Sequence, residues 1–418
     1  MNLTAKIFLA LIAGLAAGAI LPGLGAGPGA LAIAEPGGNL WLQALQMTII
    51  PLIAGLLFTG IVQSVGIAGG GKVAANALLA FLLLLLFSAV WAIVFVPQLL
   101  GFWPAPITAA ALNGTAPGTA TTAIAAAPID IGGWLLSLVP ATVFEVLAKG
   151  EMLPVVVFVS AFALAAGRLP KAQQAPLVAV FEAVKDAMLV LVGWIFIAGP
   201  VGVFALALTV GLKAGLAAFG VLAHYVAVLV IVQMTLIALV YGLMAVFGGG
   251  GFRGVGAFAR AVLPAQAVAV STQSSIASLP AIYKGAETLR LDENVIRVVL
   301  PLAVSIFRIT SPCANIAVVL YVGHLNGIEP GPLALAAGVL ASLAAAVSTG
   351  GLPGSITFLA ATVPIANAMG IPVAVLPLLL AVELLPDIFR TLGNVTADLA
   401  VTAILSKRRK LEKNPVAG

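Results

Sequence analysis

The chain has 418 residues, of which 62% are hydrophobic and only 8% charged, with a mean hydropathy of +1.20 and a formal charge of +5. A soluble domain keeps about a quarter of its residues charged, so a water-surrounded globule is excluded and lipid is the solvent that suits these side chains. Much of the positive charge sits in the run Lys407–Lys410 with Lys413 beyond it, which reads as a cytoplasmic anchor and not as a nucleic-acid site.

The apolar stretch Ile7–Ile20 after Lys6 resembles a signal peptide in composition. It is followed by span after span, so an uncleaved first helix is expected. A spanning helix needs about 20 apolar residues, and runs of that kind occur near 4–21, 40–65, 74–101, 133–167, 183–212, 215–248, 293–322 and 372–406. Two further apolar segments, 256–284 and 331–370, are interrupted at their centres by Ser, Thr, Gly and Pro. Irregular backbone survives at membrane depth only where protein or a water-filled cavity covers it. These two segments are therefore expected as re-entrant helical hairpins. The expected fold is an all-α integral membrane protein of eight transmembrane helices plus the two hairpins.

Loop charges support that count. The stretches 22–40 and 102–134 contain no Lys or Arg. With two hairpins that enter and leave by one side, the turns holding Lys72, Arg168, Lys171, Arg253, Arg260, Lys284 and Arg290 all fall on the cytoplasmic face, with both termini. A plasma-membrane, multi-pass protein is expected. Lys213 is the misfit, outside by this count, and Lys149 is assigned no side. Cys313 is the only cysteine, so no intrachain disulfide forms.

Charge inside the last span is the strongest functional pointer, because an ionised side chain at mid-bilayer costs about 2.5–3.5 kcal/mol on insertion scales. That span carries Glu383, Asp387, Arg390 and Asp398. Asp387, Arg390, Thr391, Asn394 and Asp398 follow steps of three, four, seven and eleven, which set them on one helical face. Such a stripe serves either as an ion-pair network that locks helices together or as a binding surface. An arginine with hydroxyl and amide neighbours suits bidentate binding of a carboxylate.

The first hairpin centres on STQSSIASLP (Ser271–Pro280). It holds five hydroxyls, Ser274 and Ser275 among them, of which helix capping uses about two; the others, with free N–H groups at a broken helix, make an anion site. The second hairpin turns at STGGLPGS (Ser348–Ser355), where Gly350, Gly351 and Gly354 with Pro353 make a flexible tip.

The polar residues thus gather in one midplane patch, which favours an occluded carrier over a channel with a continuous polar lining. An intramembrane enzyme is disfavoured: there are only two histidines, His224 and His324, and no HExxH. Asp387 beside an arginine is also a poor setting for a carboxylate dyad. No cofactor and no structural metal is expected.

WLQALQMTIIPLIAGLLFTGI (41–61), LVPATVFEVLAKGEMLPVVVFV (138–159), GPVGVFAL (199–206), the serine tip, the GLPGS tip and DIFRTLGNVTADL (387–399) follow one another along nearly the whole chain. In that order they resemble the dicarboxylate/amino acid:cation symporter family. The resemblance implies an elevator-type transporter, assembled as a homotrimer, for an acidic amino acid or a C4-dicarboxylate. It implies a scaffold of spans 1, 2, 4 and 5 (residues 1–68 and 104–214). The remaining segments (69–103 and 215–418) would be a moving transport domain. It further implies that Asp387 holds an α-amino group, Arg390 a side-chain carboxylate, and Asn394 and Ser275 the main carboxylate. Ser274, Ser311 and Thr391 would line the pocket, the Gly351 region would gate it, and Asp398 and Glu383 would serve ion coupling.

The departures are as specific. Where the family has Asn-Met-Asp-Gly-Thr in span seven, this chain reads Phe307-Arg308-Ile309-Thr310-Ser311. The family's span-three Thr-Ser pair falls on Leu82 to Leu86. A hard cation needs oxygen ligands, so the substrate groove is kept while much of the sodium cage is lost. Transport independent of sodium, coupled to protons or by exchange, is expected, with Arg308 facing the substrate region as a tethered cation. A sodium-coupled symporter with fewer sodium sites and an anion channel are the alternatives.

Overall fold

The computed structural model describes residues 3–68, 72–106, 136, 139, 141–149, 152–215, 217–248, 251–348 and 354–413, and every regular element among them is helical. α1 (Leu3–Ile20) runs through a short 3-10 turn into α2 (Gly27–Ala68), followed by α3 (Lys72–Phe102). Gly25 supplies the left-handed backbone, φ 72°, that reverses the chain between α1 and α2. α4 (Val143–Lys149) and α5 (Met152–Ala166) come next, then α6 (Lys171–Ile197) and α7 (Gly199–Ala214).

Span five, expected as one run over 183–212, is broken: α6 and α7 meet at 59°. Pro200 has no N–H to give the Phe196 carbonyl, which removes a ladder bond at this point. The indole of Trp41, on α2, seals the bend by donating Nε1–H to the Ile195 carbonyl at 3.1 Å. Its ring lies where a Cβ at Gly202 would come within 2.2 Å of it.

α8 (Ala217–Phe247) precedes the first interrupted segment, which folds back on itself as α9 (Gly251–Thr272) against α10 (Ser275–Thr288). Span seven is split into α11 (Glu293–Ile306) and α12 (Thr310–Leu325). The second interrupted segment gives α13 (Pro332–Ser348) packed on α14 (Gly354–Ala368); its tip, with Gly350, Gly351 and Pro353, lies outside the described residues. α15 (Leu376–Leu380) and α16 (Leu384–Lys413) end the described chain.

Among the described residues six helical stretches are long and apolar enough to cross a membrane: Gly27–Val62, Val73–Phe102, Ala217–Phe247, Arg253–Thr272, Glu293–Leu325 and Leu384–Arg408, of which Arg253–Thr272 belongs to the first expected hairpin; the α6–α7 pair brings the number to seven. Expected spans one and four are represented by shorter apolar helices, Leu9–Leu24 and Pro154–Ala166.

Packing divides the helices into two groups. α1 lies on α7 with backbone almost touching, since a Cβ at Gly14, Gly18 or Gly211 would meet main-chain atoms at 2.6–2.7 Å. α2 packs on α5, α6 and α7, with Phe58 stacked on Phe181 at 3.9 Å. In the second group α3 packs on α12, while α8, α9, α10 and α11 surround α16. α13 and α14 bridge the groups by touching α2 and α5. Lys213, misplaced by the loop-charge count, is paired with Glu35 of α2 at 3.0 Å.

Candidate functional site

The broken span seven and the last span are knitted together at one point. A continuous helix through span seven would lack the bond from residue 312 to the Arg308 carbonyl, because Pro312 has no N–H. Instead α11 stops at Ile306, Phe307 is extended (φ −97°, ψ 95°), and α12 restarts at Thr310. The exposed backbone groups find side chains. Thr310 N–H donates to Asn394 Oδ1 at 3.1 Å, and its single hydroxyl hydrogen is shared between Asn394 Oδ1 at 2.8 Å and the Arg390 carbonyl at 3.0 Å. Ser88 of α3 donates to the Ile309 carbonyl at 2.5 Å. Gly393 makes this approach possible, since a Cβ there would lie 2.4 Å from Thr310 Cγ2.

Arg390 lies at the centre, 5% exposed. Its Nη1 donates to Asn315 Oδ1 at 3.0 Å, and its Nη2 is 2.6 Å from Glu383 Oε1. Glu383 Oε2 accepts from the Tyr225 hydroxyl at 2.6 Å, and Asn315 Nδ2 donates to Ser311 Oγ at 3.2 Å. The ion pair expected of a stripe that locks helices together is therefore present on one edge of the guanidinium, while Nε has no hydrogen-bond partner among the described residues.

The rest of the α16 face surrounds it. Asp387, Thr391 and Asn394 are buried, and Thr391 Oγ1 donates to the Asp387 carbonyl at 3.0 Å. Asn394 spends its oxygen on Thr310, which turns its NH2, the half that can bind a carboxylate, toward other partners. Asp398 is fully buried and neither carboxylate oxygen has a donor among the described residues. Arg308, half-buried at the span-seven break, lies within electrostatic reach of Asp387, Asp398 and Arg390.

The serine tip is spent more fully on local bonds than its composition implied. Ser274 caps α10 by accepting from the Ala277 N–H at 3.2 Å, so it is a cap as much as a lining residue. Ser271 and Thr272 donate to the Val268 carbonyl and Ser278 to the Ser274 carbonyl. Ser275 is left without a side-chain bond among the described residues, the hydroxyl still available to a ligand. Between the helices Gln273 is held at φ 53°, a left-handed conformation uncommon outside glycine.

Three participants were not legible as site residues in the sequence, Tyr225, Asn315 and Ser88, and Thr310 stood there only as part of the span-seven string. Asn315 stands four residues after Ser311 and shared its helical face, the one signal that pointed to it. The leucines of span three turn out to face outward for the most part, Leu82, Leu83 and Leu86 being exposed and Leu85 buried. Ser88, just beyond them, is the hydroxyl that α3 brings to the break. Phe307 is buried and stacks on Phe81 of α3, centroids 4.7 Å apart and rings 13° from parallel.

The profile of the sodium:dicarboxylate symporter family matches residues 3–408. The chain belongs to that family. Among similar proteins is the proton/glutamate-aspartate symporter of Escherichia coli (strain K12), 25% identical over 89% of this chain and 84% of the relative. The proton/sodium-glutamate symport protein of Bacillus subtilis (strain 168) is 25% identical over 97% and 92%. The C4-dicarboxylate transport protein 3 of Ralstonia nicotianae is 26% identical over 95% and 88%.

Proposed function

We propose that the protein is a secondary active transporter of an acidic amino acid or a C4-dicarboxylate, working by an elevator mechanism and without dependence on sodium. The observation that carries the substrate class is the buried guanidinium of Arg390, one edge fixed by Glu383 and Asn315 and Nε open. A carboxylate entering beside it meets the Asn394 amide, the Thr391 hydroxyl and, from the hairpin, Ser275. Asp387 stands where an α-amino group would be paired. Ser311 acts through Asn315, Ser274 through the hairpin cap, and the Gly351 region closes the site.

The proposed coupling rests on the Phe81–Phe307 stack. It fills with carbon the position where the family resemblance places oxygen ligands, and carbon does not ligate a hard cation. Arg308 adds a permanent positive charge at the same break, opposite Asp387 and Asp398. Protons carried by Glu383, Asp387 or Asp398, or exchange of one substrate for another, then replace the sodium gradient. One observation favours the second reading, a sodium-coupled symporter with fewer sites: both oxygens of Asp398 are buried without donors.

In the proposed elevator, α1, α2 and α4–α7 form the scaffold through which three copies associate, and α3 with α8–α16 moves. Contact between the groups through α13 and α14 is consistent with sliding. Thermal-shift measurements on purified protein with aspartate, glutamate, succinate, fumarate and malate, each with and without sodium, test substrate and ion together. Stabilisation by a member of this set in sodium-free buffer is expected. Absence of any shift would remove the assigned pocket, and a shift that appears only with sodium would select the second reading.

A further inference from the structure

Both histidines of the chain face residues 103–105, where the polypeptide leaves α3, and neither takes part in the proposed transport site. We propose that His224 is a proton-operated clasp that fastens the end of α3 to α8 and α12. The imidazole, on α8, is buried. Its Nε2 is 3.1 Å from the Trp103 carbonyl oxygen and its Nδ1 is 3.0 Å from the Tyr321 hydroxyl of α12. That hydroxyl is also 3.0 Å from the Val221 carbonyl, one turn back on α8.

Donor counting makes these three contacts sensitive to one proton. A carbonyl only accepts, so Nε2 carries hydrogen. In the neutral ring Nδ1 is then bare, and the single hydroxyl hydrogen of Tyr321 has to choose between Nδ1 and the Val221 carbonyl. One of the three close contacts is left without a hydrogen. A second ring proton removes the conflict: Nδ1–H donates to Tyr321, Tyr321 donates to Val221, and Nε2–H continues to hold Trp103. All three contacts become hydrogen bonds, and both made by the imidazolium are charge-assisted and stronger than their neutral counterparts.

Among the described residues the charged surroundings are few. From α12, His324 is the described group whose field reaches His224, where its positive charge opposes a second ring proton, while Glu329, in the turn after α12, acts on His324 with the opposite sign. His324 Nε2 accepts the Ala105 N–H at 3.4 Å, a second and weaker hold on the same segment. From α8 itself, Tyr225 packs edge-on to Tyr321 at 5.3 Å and has its hydroxyl committed to Glu383. The Trp103 ring meets the imidazole edge-on at 4.5 Å, so the end of α3 is held by packing as well as by its carbonyl.

The clasp bears on the helix that closes the span-seven break. α3 carries Ser88 onto the Ile309 carbonyl and Phe81 onto Phe307, while α12 carries Asn315 to Arg390. Fixing α3 to α12 at their far ends restrains how the two helices slide past each other. By the loop-charge pattern this end faces outward, so the clasp responds to external pH.

Two histidines allow direct observation. Protein labelled with 15N in histidine is titrated between about pH 8 and about pH 5, the window in which histidine changes charge, with His324→Gln assigning the two rings. The expected result is that Nδ1 of His224 gains a proton in this window while Nε2 stays protonated. Amide exchange of residues 100–105, corrected for the intrinsic pH dependence of exchange, slows over the same interval, and in His224→Gln this response disappears. Nδ1 remaining bare at the acid end, or a pH response that persists in His224→Gln, overturns the proposal. Should the variant fail to fold, the titration of the unsubstituted His224 ring decides the matter by itself.

Discussion

Arg390 is both a proposed ligand and the partner of Glu383, so its removal acts twice. Arg390→Ala deprives a substrate carboxylate of a charge-assisted partner, a loss on the order of 2–5 kcal/mol or about 30-fold and upward in affinity. It also leaves Glu383 buried without its cation, which destabilises the fold independently of ligand. The variant Arg390→Ala with Glu383→Gln separates the two, because the neutral amide has no need of the guanidinium. Recovery of thermal stability without recovery of binding is expected, measured by unfolding and by calorimetric titration of the best ligand. Binding within threefold of the parent in the double variant would show that the carboxylate is held elsewhere. Tyr225 offers a gentler perturbation: Tyr225→Phe removes the hydrogen bond to Glu383 at 2.6 Å. Loss of a bond to a charged group costs about 1.5–3 kcal/mol. A weakened ligand affinity with an unchanged ligand ranking is expected from a residue that positions Arg390 through Glu383. A change in which substrate is preferred would place Tyr225 in the pocket itself.

At the scale of elements, the site exists because helices break. The span-seven break depends on Gly393, where α16 admits Thr310 at a distance no Cβ tolerates. Gly393→Ala puts a methyl 2.4 Å from Thr310 Cγ2 and 3.2 Å from Ile237 Cγ1, flanked by packed carbon. Overpacking of this kind costs about 1–3 kcal/mol, and displacement of Thr310 also releases the Asn394 oxygen that orients its amide. Lower thermal stability together with weaker binding is expected; a variant as stable and as tight as the parent would disprove the packing argument. The same breaks show what local sequence reveals. The two hairpins were legible because Ser, Thr, Gly and Pro interrupt long apolar runs, and irregular backbone there needs cover. The α16 face was legible because Asp387, Arg390, Thr391, Asn394 and Asp398 repeat with the helical period. The bend between α6 and α7 was not, since Pro200 alone sits in an otherwise even apolar run and the sealing Trp41 is far away in sequence. Tyr225, Asn315 and Ser88 were hidden for a related reason: each finds its partner across helices, and composition carries no information about such pairs. The serine tip misled in the other direction, because hydroxyls crowded at a hairpin satisfy one another's backbone before they meet any ligand.

For the whole molecule the question is which gradient would drive the proposed movement of one helix group against the other. In a carrier that binds sodium and substrate together, occupancy of each site raises affinity at the other through a coupling free energy. Such coupling requires a place for the ion. Here Phe307 lies on Phe81, Ile309 is buried beside them, and the acidic groups nearby, Asp387 and Asp398, share the field of Arg308. Arginine keeps its charge at any working pH, so it neutralises these groups continuously, where a diffusible ion would do so only when bound. On the proposed reading the coupling term for sodium is small, and uptake is expected to follow a pH gradient or a counter-gradient of substrate. In proteoliposomes this appears as uptake of labelled aspartate or succinate in choline buffer at a rate close to that in sodium buffer. Affinity rising more than tenfold with sodium, or uptake that needs a sodium gradient, would reject sodium independence and return Asp398 to the role of ion ligand. Arg308→Met distinguishes the role of the arginine from that of the aromatic stack. It removes the tethered charge and lowers substrate affinity, yet sodium dependence does not return, because Phe307 and Ile309 still offer no oxygen. Gain of sodium dependence from this single change would mean that oxygen ligands for the ion are already in place and that Arg308 was merely competing for them.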